Sequence, residues 1–176
     1  MAEPVHARKP VRFSKMHGAG NDFVVLDLRG AAAAPSPQLC RSLADRHVGV
    51  GCDQILTVED AQGSDAVARY RIWNADGSSS QQCGNGARCI AAWLVRDAQG
   101  NGRELARDFL LDSPVGTHAV TQLGEGRYRI VMGTPRFAPA SIPLHGFAGA
   151  QDEYVVERND SVFTFGAVSM GNPHAV

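Results

Sequence analysis

NADGSSSQQCGNGARCIAAW, residues 74–93, sets one thiol at the junction between a polar, turn-rich run and an apolar, helix-like run. Cys83 follows serines and glutamines and precedes Gly84, Asn85 and Gly86. Ala87, Ile90, Ala91, Leu94 and Val95 then recur at i, i+3, i+4, i+7 and i+8. That spacing predicts an amphipathic helix from Gly84 to about Asp97, stopped by the glycines of DAQGNG. Cys83 thus stands at a helix N-terminus, where the first backbone N–H groups lack internal partners and carry partial positive charge. A thiolate is stabilised in such a place. The flanking glycines leave the amides uncovered, so an anion such as a carboxylate can approach. The plainer alternative makes Cys83 a small hydrophobe and the glycines a simple turn. Polar flanks on both sides weigh against it, because structural cysteines usually lie in apolar surroundings.

Upstream, VRFSKMHGAGNDFVVLDL (11–28) reads as strand, glycine turn, strand, the second apolar on both faces as in a buried strand. Ser36 and Pro37 suit an N-cap and first helical position, with Leu39, Cys40, Leu43 and His47 at helical spacing behind them. QILTVE (54–59) and VARYRIWNA (67–75) read as strands. Downstream, residues 105–111, 117–123 and 127–132 are strand candidates, and GEG (124–126) signals a hairpin between the last two. Residues 133–150 are rich in Pro and Gly and read as a crossing. YVVERND and SVFTFGAVSM add two more strands. Strand-rich with two helices, the chain is α+β. Residues 1–132 are long enough for one domain, whereas 133–176 are too few to build a core of their own.

The totals narrow the function. The chain has 176 residues and a formal net charge of −1. Its Lys and Arg are scattered, with no basic stripe interleaved with aromatics, so no nucleic-acid partner is expected. No apolar run reaches the ~18 residues of a membrane span, and MAEPVHARKP lacks the apolar middle of a signal peptide. The expected compartment is the cytoplasm, where four cysteines stay reduced. None forms a CxxC pair, which argues against a structural zinc site. Cys40 and Cys89 fall on helical faces and read as core, as does Cys52.

Asparagines recur beside glycine or at strand ends: Asn21, Asn74, Asn85 and Asn172. Each alone is ordinary turn chemistry. Converging on one pocket, their amides would donate to a carboxylate and accept from an ammonium, which suits an amino acid. His17 and His174 are open between a functional role and backbone hydrogen bonding. Neither GxG pattern is a dinucleotide fingerprint.

Four blocks in order, SKMHGAGNDFVVLD (14–27), VGCDQIL (50–56), RIWNADGSSSQQCGNGARC (71–89) and GAVSMGNPHAV (166–176), closely resemble the diaminopimelate epimerase family. The resemblance implies a mixed or antiparallel sheet wrapped around a central helix, in two similar domains with the substrate between them. It implies cofactor-independent epimerisation, without pyridoxal phosphate or metal, of LL- to meso-diaminopimelate by two cysteines. One thiolate removes the α-proton and a second thiol returns one to the opposite face. On this chain Cys83 matches the first of these cysteines, and Gly84 and Asn85 match the carboxylate cradle. Asn21, Gln54, Asn74 and Asn172 match substrate-binding positions, and His174 a histidine that tunes the thiols. The family's second cysteine has no counterpart in Cys40, Cys52 or Cys89. The chain is therefore expected to supply one of the two bases, with an incomplete second domain, and to be inactive alone. The full-length protein is expected to be a homodimer. Three rivals remain: another cofactor-independent isomerase of this fold, proline- or hydroxyproline-racemase-like or of the phenazine pathway; an inactive or binding-only fragment; and a redox sensor built on Cys83.

Overall fold

The structure, a computed structural model, describes residues 11–30, 33–62 and 65–176; the N-terminal segment read for a signal peptide and part of the alanine loop lie outside these. β1 (Ser14–Gly18) and β2 (Asn21–Asp27) form a hairpin closed by Ala19 and Gly20, both at positive φ. α1 (Pro37–Ala44) begins as the Ser-Pro pair predicts, Ser36 accepting from the Leu39 N–H. It ends a turn before His47, because the Asp45 carboxylate takes the N–H groups of His47 (2.7 Å) and Val48 (3.0 Å). A side chain that bonds its own downstream backbone competes with helix continuation.

β3 (Gln54–Glu59) and β4 (Ala66–Asn74) follow, then a two-residue β5 (Ser79–Ser80) that periodicity is too short to reveal. α2 (Gly84–Gly100) runs through the first glycine of DAQGNG and stops at Asn101 and Gly102. β6 (Asp108–Ser113) starts three residues later than expected. β7 (Gly116–Gly124) and β8 (Arg127–Ile130) form the GEG hairpin, with Glu125 and Gly126 at φ +54° and +70°. That paired left-handed turn matches the twist of its strands.

These strands make one eight-stranded mixed sheet in the order β1-β2-β3-β4-β6-β7-β8, with β5 beside β4. β2 runs parallel to β3 and β4 parallel to β6; the other pairs are antiparallel. The sheet curls around α2, and both of its end strands, β1 and β8, pack on that helix. The period of α2 explains this. Ala87, Ile90, Ala91, Leu94 and Val95 are all buried against Phe23, Leu56, Tyr70 and Ile72. Each large apolar side chain so buried contributes roughly 1.5–3 kcal/mol. β2 is apolar on both faces because its other face meets α1, where Val24 and Leu26 pack with Cys40, Ala44 and Cys52.

Beyond Ile130 the chain leaves the sheet. After a single turn of 3-10 helix (Pro139–Ser141) come two separate ribbons: β9 (Tyr154–Arg158) with β10 (Ser161–Phe165), and β11 (Ala167–Ser169) with β12 (Pro173–Ala175). β12 was not anticipated, since three residues beginning at proline carry no strand signal. A backbone bridge between Arg136 and Ser169 ties the crossing segment to β11.

Candidate active site

Topology brings the polar residues together. β2 and β3 are parallel and start at the same end of the sheet, with Phe23 paired to Gln54. β4 is antiparallel to β3 and ends there, with Gln54 paired to Asn74. Asn21, Gln54 and Asn74 therefore share one edge. The N-terminus of α2 opens onto that edge. The β11–β12 ribbon adds Asn172 from its turn and His174 from β12. The result is a cleft of about 680 Å³ lined by Asn21, Gln54, Asn74, Cys83, Gly84 and Asn85, with Asn172 and His174 closing it. The eight residues matched to site positions through the family resemblance all share this one cleft. His17 does not line it and lies exposed on β1.

Cys83 is the N-cap of α2. Its backbone is extended, and its Sγ accepts from the Gly86 N–H at 3.3 Å. Among the described residues, nothing accepts from the Gly84 and Asn85 N–H groups, which leaves two amides and the positive end of the helix for an anion. Gly86 has no room for a side chain, since a Cβ there would lie 3.1 Å from Leu56. Cys83 is half-buried, whereas Cys40, Cys52 and Cys89 are buried. Burial pushes all three buried thiols up; Cys89, which also feels Cys83, is pushed up to about 11. The core assignment of these three from sequence agrees with their positions.

The amides are pre-oriented. Gln54 Nε2 donates to Asn74 Oδ1 at 3.0 Å, and Asn74 Nδ2 donates to Ser78 Oγ at 3.0 Å. Asn85 Nδ2 donates to Asn21 Oδ1 at 2.7 Å, while the Arg88 guanidinium donates to Asn85 Oδ1. Asn21 Nδ2 reaches Asp53 Oδ2 at 3.4 Å. Asp53 is held by Arg46 at 2.7 Å, and Arg46 also grips Asp22. The Arg46 and Lys15 cations beside Asp22 hold its carboxyl well below the usual range. On the other wall, His174 Nε2 lies 3.0 Å from Asn172 Oδ1. The sequence reading missed Asp53 and Gln82, which also line the cleft. Their one signal was adjacency to Gln54 and Cys83. Among the described residues, no three His, Cys, Asp or Glu side chains are grouped to hold a metal ion. No helix among them is long and apolar enough to cross a membrane.

The sequence signature described as diaminopimelate epimerase matches residues 13–138. The chain belongs to the diaminopimelate epimerase family. A diaminopimelate epimerase of Xanthomonas euvesicatoria pv. vesicatoria is 59% identical over 166 residues, 94% of this chain and 57% of that protein. One from Xanthomonas campestris pv. campestris is 57% identical over all 176 residues, 60% of its own length. One from Xylella fastidiosa strain M23 is 56% identical over 169 residues, 96% of this chain and 58% of that protein. The chain thus spans somewhat over half the length of the curated relatives it matches. Among solved structures, a hydroxyproline epimerase from Agrobacterium vitis superposes with a TM-score of 0.63 at 16% identity, over 93% of this chain and 50% of that one. A probable proline racemase from Agrobacterium radiobacter K84 gives 0.65 at 16%, over 94% and 51%. At that identity the likeness is one of fold.

Proposed function

We propose that this chain carries one half of a cofactor-independent epimerase that converts LL-diaminopimelate to meso-diaminopimelate, a step of lysine and peptidoglycan-precursor synthesis. The observation that carries the reading is Cys83 Sγ at the N-cap of α2, inside a cleft walled by four asparagines and two glutamines. The family's named activity supplies the substrate.

An amino-acid Cα–H is a very weak acid, so a base alone does not suffice. The free Gly84 and Asn85 N–H groups and the helix dipole face the place where a substrate carboxylate gains charge as the proton leaves. Cys83, as thiolate, takes that proton; the Cα–H bond breaks, S–H forms, and the electron pair delocalises into the held carboxylate. A second thiol, from outside residues 1–176, returns a proton to the opposite face. In a thiol–thiolate pair the titration belongs to the pair, and His174 is assigned to tuning it. Asn21, Gln54, Asn74 and Asn172 hold the remaining polar groups of the substrate. Residues 1–132 are assigned to an N-terminal domain and 133–176 to strands of a second one. The complete protein is assigned to the cytoplasm as a homodimer.

The test is α-hydrogen exchange and inversion of LL-diaminopimelate in deuterium oxide, followed by NMR. With a full-length family member carrying these residues, Cys83→Ala is expected to lower exchange by roughly a thousandfold. Residues 1–176 alone are expected to bind without inverting. Inversion by residues 1–176 alone at the rate of the complete protein would overturn the two-thiol assignment. Turnover of proline or hydroxyproline in preference to diaminopimelate would favour the racemase alternative.

A further inference from the structure

Gln82 precedes Cys83 and is buried, with 3% of its surface exposed, while Gln81 beside it is exposed. Its side chain reaches two segments remote in sequence. Nε2 donates to the Met132 carbonyl at 3.3 Å and lies 3.7 Å from the Met132 sulfur. The other side of the carboxamide presses on Gly171. A Cβ on Gly171 would fall 1.7 Å from Gln82 Oε1 and 2.9 Å from Cδ. Gly171 also adopts φ +99°, in the turn between β11 and β12, where Met170 N donates to the Asn172 carbonyl at 3.1 Å. Glycine is thus required there twice over, by the backbone conformation and by the space Gln82 occupies. Gln82, Met132 and Met170 form a wall shared by the cleft and a second cavity of about 490 Å³ behind it.

Deepening the reading of the cleft given above, we propose that Gln82 is a positioning residue. Its carboxamide holds the Met170–His174 turn, and with it Asn172 and His174, at a set spacing from Cys83 across the cleft. A buried amide is costly to leave unpaired, so the bond from Nε2 to the Met132 carbonyl fixes the carboxamide in one orientation, and Gly171 packs directly against its other side. An apolar side chain of the same length would let the turn slide. Residues 82 and 83 are adjacent, so the link from β5 to α2 that delivers the thiol also determines where the opposing wall sits.

Two measurements on the full chain test this, with Gln82→Ala, the isosteric Gln82→Met, and Gly171→Ala as variants. The first is hydrogen exchange read by mass spectrometry. Gln82→Ala and Gly171→Ala are expected to speed exchange of amides 167–175 by roughly tenfold and Gln82→Met by about threefold, with β3 and β4 unchanged. Unchanged exchange in that turn, or a uniform rise that includes β3 and β4, overturns the proposal. The second is iodoacetamide labelling of Cys83, the half-buried thiol, titrated with diaminopimelate. In Gln82→Ala the half-protecting concentration is expected to rise about tenfold, with ligand-free labelling within about twofold of the parent. An unchanged half-protecting concentration overturns the positioning role. Failure of diaminopimelate to protect the parent chain would instead defeat the substrate assignment, leaving hydrogen exchange to decide the tether. If Gln82→Ala does not fold, Gln82→Met carries both readouts.

Discussion

Residues 11–132 and residues 133–176 are built on different terms. In the former, every central strand has neighbours on both sides, and α2 gives the sheet an apolar axis to close around; Phe23, Ile55, Leu56, Tyr70 and Ile90 are fully buried. In the latter, two-stranded ribbons stand apart from the sheet, with Val155, Val162 and Phe163 more than half exposed. Tyr154, fully buried between Phe147 and Phe165, anchors the first ribbon, and the Arg136–Ser169 bridge ties down the second. Two-stranded ribbons are marginal alone. The cleft lies across this boundary: a rigid wall carries the thiol, and a lightly held wall carries Asn172 and His174.

Four experiments would break or sharpen that contrast. The largest effect is expected in hydrogen exchange, where amides of β3 and β4 should be protected by about a thousandfold more than those of β9 and β10. Equal protection would mean the two regions unfold as one. Next, Ile90→Ala should cost about 3–4 kcal/mol in denaturant unfolding monitored by circular dichroism. Tyr154→Ala should loosen the ribbons while leaving the main transition nearly in place. Third, pH should act through the buried thiols of the first region. Burial raises Cys40, Cys52 and Cys89, the last to about 11. A neutral thiol in the folded state opposite an ionised one in the unfolded state means the unfolded chain binds fewer protons. Stability should therefore be level below about pH 8.5 and fall between about pH 9 and 11, by on the order of 2 kcal/mol for Cys89. Cys89→Ala should flatten that decline in pH-dependent melts. Smallest, Phe163→Lys on the exposed face of β10 should change folding stability by less than about 0.5 kcal/mol and reduce concentration-dependent association in sedimentation.

Legibility in the sequence followed the range of the interaction. The N-cap at Cys83, the Ser36-Pro37 helix start and the GEG hairpin were readable because partners lie within about four residues. The end of α1 was overestimated because Asp45 diverts the backbone through a side-chain bond that periodicity ignores. β5 and β12 were missed because two or three residues carry no period. In the cleft, all eight anticipated residues were found together, but Asp53 and Gln82 were overlooked; each is defined by contacts with residues 21 and 46, or 132 and 171.

The sequence by itself determined that a thiol would cap a helix above exposed amides, because capping depends on a few neighbouring residues and on backbone that glycine leaves uncovered. The tertiary structure alone decided that β2 and β3 run parallel with β4 returning between β3 and β6, so that Asn21, Gln54 and Asn74 meet at one edge. It also placed Gln82 between that edge and the far turn. Strand order and register come from burying apolar faces against α2, a sum over contacts distant in the chain that no local stretch encodes.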